Sequence, residues 1–585
     1  MKHTTKSQAE IIAGLAPHLR HFVRVQDYQA YTARDHAVWR FLMHQLGFQL
    51  ADSAHPVYIE GLRRTGISQE QIPSIDEMNS CLAQIGWKAL GVDGFIPPAV
   101  FMEFQSLRIL VIAMNMRTID QLLYTPAPDI LHESAGHASF LIDVDYAEFL
   151  QQFGAIGMKA LSSSEDESVY EAIRHLSIVK ENPQATQQAI KEAESRLQTA
   201  TENNKGLSES ALLARLHWWT VEYGLVGNPT DYKIFGAGLL SSLGESKNCL
   251  DDSRVKKLLL TPDAINHAYD ITTEQPQLYV THSCRHLSQV LNDVAKGMAQ
   301  IRGGAASIKT AIGCATVSTL EYNSGLQVSG RVTDLITDAM DNVSYVRTTG
   351  KTQLAWRGEQ LIGHGIDFHS DGFGSPVGHV NEFSRCLSEY SIDELRFAGI
   401  ETGASAKLEF VSGVVVEGAL LSIERRDQKN ILFSFRDCRV TSGEGRVLFD
   451  PSWGQYDMAV GTEITSVFGG SADPSEYPLY SPAAEKTATR TWSEADQSTF
   501  KIYQRLRELR QSGKLADKSL QELYQSIEAQ QSTDWLLLFE FYELIANSDD
   551  KKSESVLAKL KNIVRDDTTV RQLVEQGIQR VSAAI

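Results

Sequence analysis

The sequence predicts a chain in three parts. A mainly α-helical domain with few short strands spans residues 25–304. A β-rich domain covers 305–480 and a helical C-terminal region 484–585, with 1–24 as an N-terminal lead-in. Three observations predict this order. Apolar residues recur at helical spacing early on, as in Ala37, Val38, Phe41, Leu42 and Leu46. Near residue 305 the composition shifts to β-branched and aromatic residues. Ser471-Ala-Asp-Pro-Ser-Glu-Tyr-Pro-Leu-Tyr-Ser-Pro482 then reads as a linker, after which helical periodicity returns.

Taken in order, a helix is expected from Tyr31 to about Phe48, and another after Ser74, a candidate N-cap followed by Asp76 and Glu77. Gly94-Phe-Ile-Pro-Pro98 is a loop, because Pro97 restricts the residue before it and removes a donor. Phe101 to Met116 reads as a buried helix, or as a helix followed by a strand. Within the first domain, an insert at 161–206 opens on the polar Ser162-Ser-Ser-Glu-Asp-Glu. It continues as two amphipathic helices, Val169–Lys180 and Pro183–Thr201, split by Asn182-Pro183, which form a surface hairpin or an oligomer contact. Gly236-Ala-Gly-Leu-Leu-Ser-Ser-Leu-Gly-Glu245 is rich in small residues that permit close backbone approach. Strands are expected in Thr316–Gly330, Ser344–Ile362, Lys407–Ile423 and Asn430–Phe449, with a hairpin turn at Arg425-Arg-Asp-Gln-Lys-Asn430 and Ile431, Phe433 and Phe435 alternating with Leu432, Ser434 and Arg436. Five short helices close the chain: Glu494–Gln511, Lys518–Glu528, Trp535–Ala546, Glu554–Val564 and Thr569–Ser582.

Composition narrows the function. The 585 residues carry a net charge of −18, which disfavours phosphate backbones and anionic membranes as partners. No run approaches the ~18 apolar residues of a membrane span, and the first residues lack the apolar core of a signal peptide. None of the six cysteines falls in a Cys-x-x-Cys pair, so a reducing, cytoplasmic setting is expected.

The densest chemistry lies in Tyr124-Thr-Pro-Ala-Pro-Asp-Ile-Leu-His-Glu-Ser-Ala-Gly-His137 and in Leu216-His-Trp-Trp-Thr-Val-Glu-Tyr-Gly-Leu225. His132 and His137 stand at i and i+5, not at the i and i+4 of a zinc peptidase helix. On a regular helix their side chains diverge by roughly 140°. They meet on one ion only at a helix start or in a distorted turn, and Pro126, Pro128 and Asp129 favour a start near His132. Two imidazoles and the carboxylate of Glu222 form a set that leaves coordination positions open, as in non-haem iron(II) oxygenases. Ordinary hydrogen-bonded histidines are the alternative that these residues alone leave open.

These segments resemble the tetrahydropterin-dependent aromatic amino acid hydroxylases. Besides the two stretches above, Tyr31-Thr-Ala-Arg-Asp-His-Ala-Val-Trp39, Gly236–Glu245 and Thr273-Glu-Gln-Pro-Gln-Leu-Tyr279 look like the family, in family order, across residues 25–300. The resemblance implies the aromatic amino acid hydroxylase fold and a monooxygenase that uses Fe(2+), O2 and tetrahydrobiopterin or a related reduced pterin. It implies His132, His137 and Glu222 as iron ligands. Ser241 would hold the first ligand histidine, Arg117 the substrate carboxylate with help from Thr125, and Trp218 the substrate ring. Glu133, Gly94, Phe95, Ile96, Phe101 and Ala214 would face the pterin. Surface, core or plain salt-bridge roles remain alternatives for Arg117, Trp218, Phe101 and Glu133.

L-phenylalanine, giving L-tyrosine, is the expected substrate, with tryptophan or tyrosine hydroxylation open. A metal-dependent hydrolase whose C-terminal half is a non-catalytic binding or assembly module is the alternative from another class. The sequence departs from the family at Pro98, where a serine is usual; at His217, where a tyrosine is usual; and at Val111, where animal members carry a histidine. The resemblance does not reach the regions after 305. There, His364, Asp367, His369 and His379 form a glycine-rich cluster that is either a second metal site or a turn-rich loop. The insert and the C-terminal helices are the candidate oligomer contacts.

Overall fold

The structure, a computed structural model of the chain, describes residues 6–92, 96–122, 128–181, 185–204, 206–271, 273–480, 492–513, 517–530, 533–546 and 551–583. The first 300 residues form helices around two small sheets. Strands Val23–Arg24, Lys88–Val92 and Ile109–Ala113 make one sheet, and Asp231–Ile234, Leu225–Asn228, Gln277–Thr281 and Lys256–Leu259, in that order, make the other. The lead-in is part of this body: Ile11, Leu15 and Leu19 pack with Val23, Leu90 and Phe104 in one apolar cluster.

Most local expectations hold. The helix Ala33–Gln49 opens on a reciprocal cap between Thr32 and Asp35. The 101–116 stretch divides into the helix Pro98–Ser106 and the strand Ile109–Ala113. The helix after Ser74 starts at Ile75, yet the Ser74 hydroxyl makes no capping bond. The insert is a hairpin of Ser164–Glu181 and Gln187–Asn203 whose residues are mostly exposed.

The β-rich part holds two antiparallel sheets. One runs Glu359–Gln360, Val343–Trp356, Leu326–Thr337, Val317–Tyr322, Ile464–Gly469, with Gly374–Pro376 also on Val343–Trp356. The other runs Ser405–Glu409, Val415–Arg426, Lys429–Thr441, Val447–Phe449, with Tyr456–Ala459 also on Lys429–Thr441. The Val415–Arg426 and Lys429–Thr441 hairpin turns at Asp427 and Gln428, both with positive φ (44° and 65°), as a two-residue hairpin loop requires. The predicted alternation along Ile431–Phe435 is absent, because all five residues are buried. Ile431 and Leu432 join the cluster of the first sheet, Phe433 and Phe435 that of the second.

The C-terminal helices do not keep a core of their own. Leu506, Leu536, Phe539, Leu560 and Leu573 belong to the same apolar cluster as Phe41, Leu42, Phe140 and Leu240. The helix Trp535–Ile545 is buried nearly all round, which marks it as a central core element. It meets the Ala33–Gln49 helix edge to face, with Phe41 5.3 Å from Trp535 and 5.2 Å from Phe539 between ring centroids. A buried charge network ties the same pair: Arg40 donates to Glu70 (2.7 Å), Glu540 (3.1 Å) and Glu543, while Arg510 also pairs with Glu540 and Arg580 with Glu543. Burial opposes the Arg40 charge, but Glu540, Glu543 and Glu70 outweigh it and raise its pKa.

Removing one member of such a network strands the others, at a cost of about 3–5 kcal/mol. Glu540→Ala should therefore lower the unfolding free energy of the full chain by that amount, read from urea denaturation as a lower midpoint. A chain ending at residue 483 should melt well below the full chain although it keeps every candidate ligand. An unchanged melting temperature of that truncate would contradict the shared core.

Candidate metal centre

The two ligand-bearing segments share an uncommon local winding. His132–His137 is a single π-helical turn, closed by the Ala138 N–H donating to the Glu133 carbonyl. Trp218–Glu222 is another, closed by the Tyr223 N–H donating to the Trp218 carbonyl at 2.9 Å. In an i→i+5 turn, residues five apart come round to the same side, and such turns gather at functional sites. The awkward spacing of His132 and His137 is thereby resolved: the turn is wound to suit it.

The donor atoms converge. His132 Nε2 and His137 Nε2 are 3.1 Å apart, and they stand 3.3 and 3.4 Å from Glu222 Oε2 and Oε1. Ser241 fixes the tautomer of His132. Its hydroxyl donates to the Ala237 carbonyl at 2.7 Å, so at 3.0 Å it accepts from His132 Nδ1–H. That leaves the His132 Nε2 lone pair aimed at His137 and Glu222, as a metal ligand needs. Burial pushes the Glu222 carboxyl up, but His137 and His132 more than offset this and hold it well below the usual carboxylate range. Two neutral imidazoles and one ionised carboxylate on a common point fit a divalent iron ion.

The small-residue segment at 236–241 holds the two turns together. A Cβ on Gly236 would lie 2.5 Å from the Glu222 carbonyl, and one on Gly136 would lie 2.9 Å from the Ala237 carbonyl. The absence of side chains at these two positions lets the segment press against both turns while carrying Ser241 to His132.

Around this centre the other predicted residues fall as follows. Arg117 is buried, and Asp129 takes its fork: Nε to Oδ2 at 2.7 Å and Nη2 to Oδ1 at 2.8 Å. Asp129 also accepts from the backbone N–H of Arg117 and of His132, both at 3.1 Å. Burial raises the Asp129 pKa, but the Arg117 charge and these bonds bring it below its ordinary value. Sequence reasoning read Asp129 only as a helix-start signal; its place three residues ahead of a ligand histidine was the available clue. Glu133 is buried, with Oε2 3.9 Å from His137 Nε2. Burial and Glu222 push its carboxyl up to about 8, against the pull of His137.

Trp218 stacks on Tyr269 (4.3 Å between centroids, 11° between planes) and leans on Tyr223 at 4.7 Å. Its buried indole N–H has no hydrogen-bond partner among the described residues. Tyr269 was not foreseen. His217 is buried, with Nδ1 3.8 Å from Glu222 Oε1 and its ring edge-on to Phe101 at 5.9 Å, so it links the ligand set to the predicted pterin-stacking ring. Burial lowers the His217 pKa to about 4, with Glu222 pulling the other way. Ile96 and Phe101 are half-buried against the lead-in cluster, and Ala214 is half-buried in the helix Glu209–His217. Thr125, Gly94 and Phe95 lie outside the described residues.

Comparisons with known proteins show the family. The family described as biopterin-dependent aromatic amino acid hydroxylase matches residues 2–191 and 195–304. The chain belongs to that family. It is similar to the phenylalanine-4-hydroxylase of Chromobacterium violaceum, 30% identical over 276 residues, which span 47% of this chain and 78% of the relative. The phenylalanine-4-hydroxylase of Ralstonia nicotianae is 30% identical over 268 residues, 46% of this chain and 72% of the relative. Among solved structures, Chromobacterium violaceum phenylalanine hydroxylase with bound iron(III) and 7,8-dihydrobiopterin is 27% identical, with a TM-score of 0.38, over 50% of this chain and 91% of that one. The protein is accordingly a pterin-dependent, non-haem iron aromatic amino acid monooxygenase.

Loss of a group that orients a ligand histidine typically weakens metal binding about 10–100-fold. Ser241→Ala should weaken iron(II) binding by that factor, measured by competition with a chromophoric chelator. An unchanged affinity would show that His132 needs no such support.

Proposed function

We propose that the protein hydroxylates L-phenylalanine to L-tyrosine with O2, held on an iron centre of His132, His137 and Glu222. The observation that carries this reading is the convergence of those three donors within 3.1–3.4 Å, with the His132 lone pair turned inward by Ser241. The first two relatives described above bear the name of this activity, which supports phenylalanine over tyrosine or tryptophan.

When bound, iron(II) and a tetrahydropterin supply the electrons that split O2, one atom entering the aromatic ring and the other ending as water. The chain's own residues bind and orient. His132, His137 and Glu222 would hold the ion, a set of three protein donors that leaves it open to O2 and solvent. Asp129 and the Ser241 carbonyl hold the Arg117 guanidinium in place, and the N–H groups they leave are the donors for the substrate carboxylate. The Trp218–Tyr269 stack offers an aromatic wall for the ring, beside an indole N–H that no described residue accepts from. Phe101, Ile96 and Ala214 are the proposed pterin contacts, together with Glu133, which stands 3.9 Å from His137. Gly94 and Phe95, for the pterin, and Thr125, for the substrate carboxylate, are proposed from the family resemblance alone. Burial of these groups keeps water from the reacting atoms.

The six cysteines are free, five of them buried, which supports a reducing, cytoplasmic setting. Among the described residues no helix is long and apolar enough to cross a membrane. The exposed hairpin of Ser164–Glu181 and Gln187–Asn203 is the surface proposed for self-association.

The reading is tested with phenylalanine, tyrosine and tryptophan, each incubated with the full chain, iron(II), tetrahydrobiopterin and O2. Tyrosine formed from phenylalanine, at a kcat/KM at least tenfold above the other two, is the expected result. Faster turnover of tryptophan or tyrosine would overturn the substrate assignment, and no product from any of the three would overturn the function.

A further inference from the structure

A second set of two histidines and one carboxylate lies in the β-rich part, beyond the residues that match the family. His364 and His369 stand on the segment between strands Glu359–Gln360 and Gly374–Pro376, again five residues apart, and Asp457 stands on Tyr456–Ala459. His364 Nδ1 is 3.2 Å from His369 Nε2, and both nitrogens face Asp457 Oδ2, at 3.8 and 3.9 Å. The two other residues of the predicted cluster, Asp367 and His379, are exposed and outside this set. Asp457 takes their place, supplied by a strand that the sequence pattern did not connect to the loop.

The spacing suits a coordinated ion. Donors bound at about 2.0–2.1 Å in a tetrahedral site stand about 3.3 Å from one another. The iron-type triad of this chain spans 3.1–3.4 Å and the second set 3.2–3.9 Å, so a few tenths of an ångström of closure places all three on one centre.

The backbone fixes the ligands before any ion arrives. The His364 carbonyl accepts from the Leu354 N–H at 2.9 Å and the His369 carbonyl from the Thr352 N–H at 3.0 Å, which pins the loop to the strand Val343–Trp356. Asp457 Oδ1 takes a hydrogen bond from Gln455 at 2.9 Å, and Oδ2 is left toward the two rings. The Asp457 side chain is only 2% exposed, and the two imidazoles are its ion-pair partners among the described residues. A buried carboxylate with only two imidazoles as partners is costly, and a bound cation supplies the missing charge.

We propose that His364, His369 and Asp457 bind a divalent first-row transition cation of the zinc or cobalt type, independently of the catalytic iron. Two imidazoles and a carboxylate favour such ions over magnesium or calcium, which take oxygen donors. The histidine loop is bonded to the six-stranded sheet, and Asp457 is paired with Ser434 in the other sheet. The ion therefore clips the two sheets together, with at least one position left for water. His364, 15% exposed, marks the side by which it enters.

The test uses the full chain carrying Glu222→Ala, which removes the carboxylate of the first centre, stripped of metal and titrated with Co(2+). One equivalent should bind, with the d–d absorption of a nitrogen and oxygen site, and Zn(2+) should displace it and raise the melting temperature. His369 and Asp457 are buried, so the ligand removed is the more accessible His364. Adding His364→Gln should abolish both the absorption and the thermal shift, while His364→Gln alone keeps iron-dependent hydroxylation. No Co(2+) binding to the Glu222→Ala chain, or equal binding after His364→Gln is added, would overturn the proposal.

Discussion

The active centre depends on one local departure from α-helical winding. The side chains of His132 and His137 converge on one point only because the turn between them is closed i→i+5. A regular helix would point their rings apart. Glu222 reaches the same point from a second turn of the same kind. The two turns touch a common wedge, the segment from Gly236 to Ser241, whose missing side chains permit the approach and whose serine sets the tautomer of His132. Spacing, tautomer and charge thus follow from a small group of backbone contacts.

Asp129 extends this economy to the substrate side. Its oxygens bond the Arg117 guanidinium, the Arg117 backbone and the first turn of the histidine segment. The cation proposed to hold the amino acid carboxylate is therefore coupled directly to the segment that carries the ligands. Trp218 and Glu222 share the second π-turn, so one backbone turn positions both the indole and the candidate ligand carboxylate.

What was legible in the sequence is what local rules express. The hairpin at 425–430, the insert hairpin and the C-terminal helices were readable because turn residues and helical periodicity are local signals. The candidate ligands stood out by residue type and by the resemblance in their surroundings. The π-turn did not, since no propensity announces i→i+5 bonding; only the unsuitable spacing pointed at it. Asp129 reads only as a helix-start signal because the sequence does not reveal which donors will surround a carboxylate. Asp457 was missed because strand pairing, set over a long separation, brings it to His364 and His369. The helix Trp535–Ile545 looked apolar, but only the fold shows that its partner is the helix Ala33–Gln49, at the other end of the chain.

The most direct measurement of the central claim is anomalous X-ray scattering at the iron edge from crystals of the full chain grown with iron(II) under anaerobic conditions. The account places one strong peak bonded to His132 Nε2, His137 Nε2 and a Glu222 carboxylate oxygen, with both histidines still on a π-turn. A peak bonded to only one of the two histidines, or iron bound elsewhere with these three side chains left free, would contradict it.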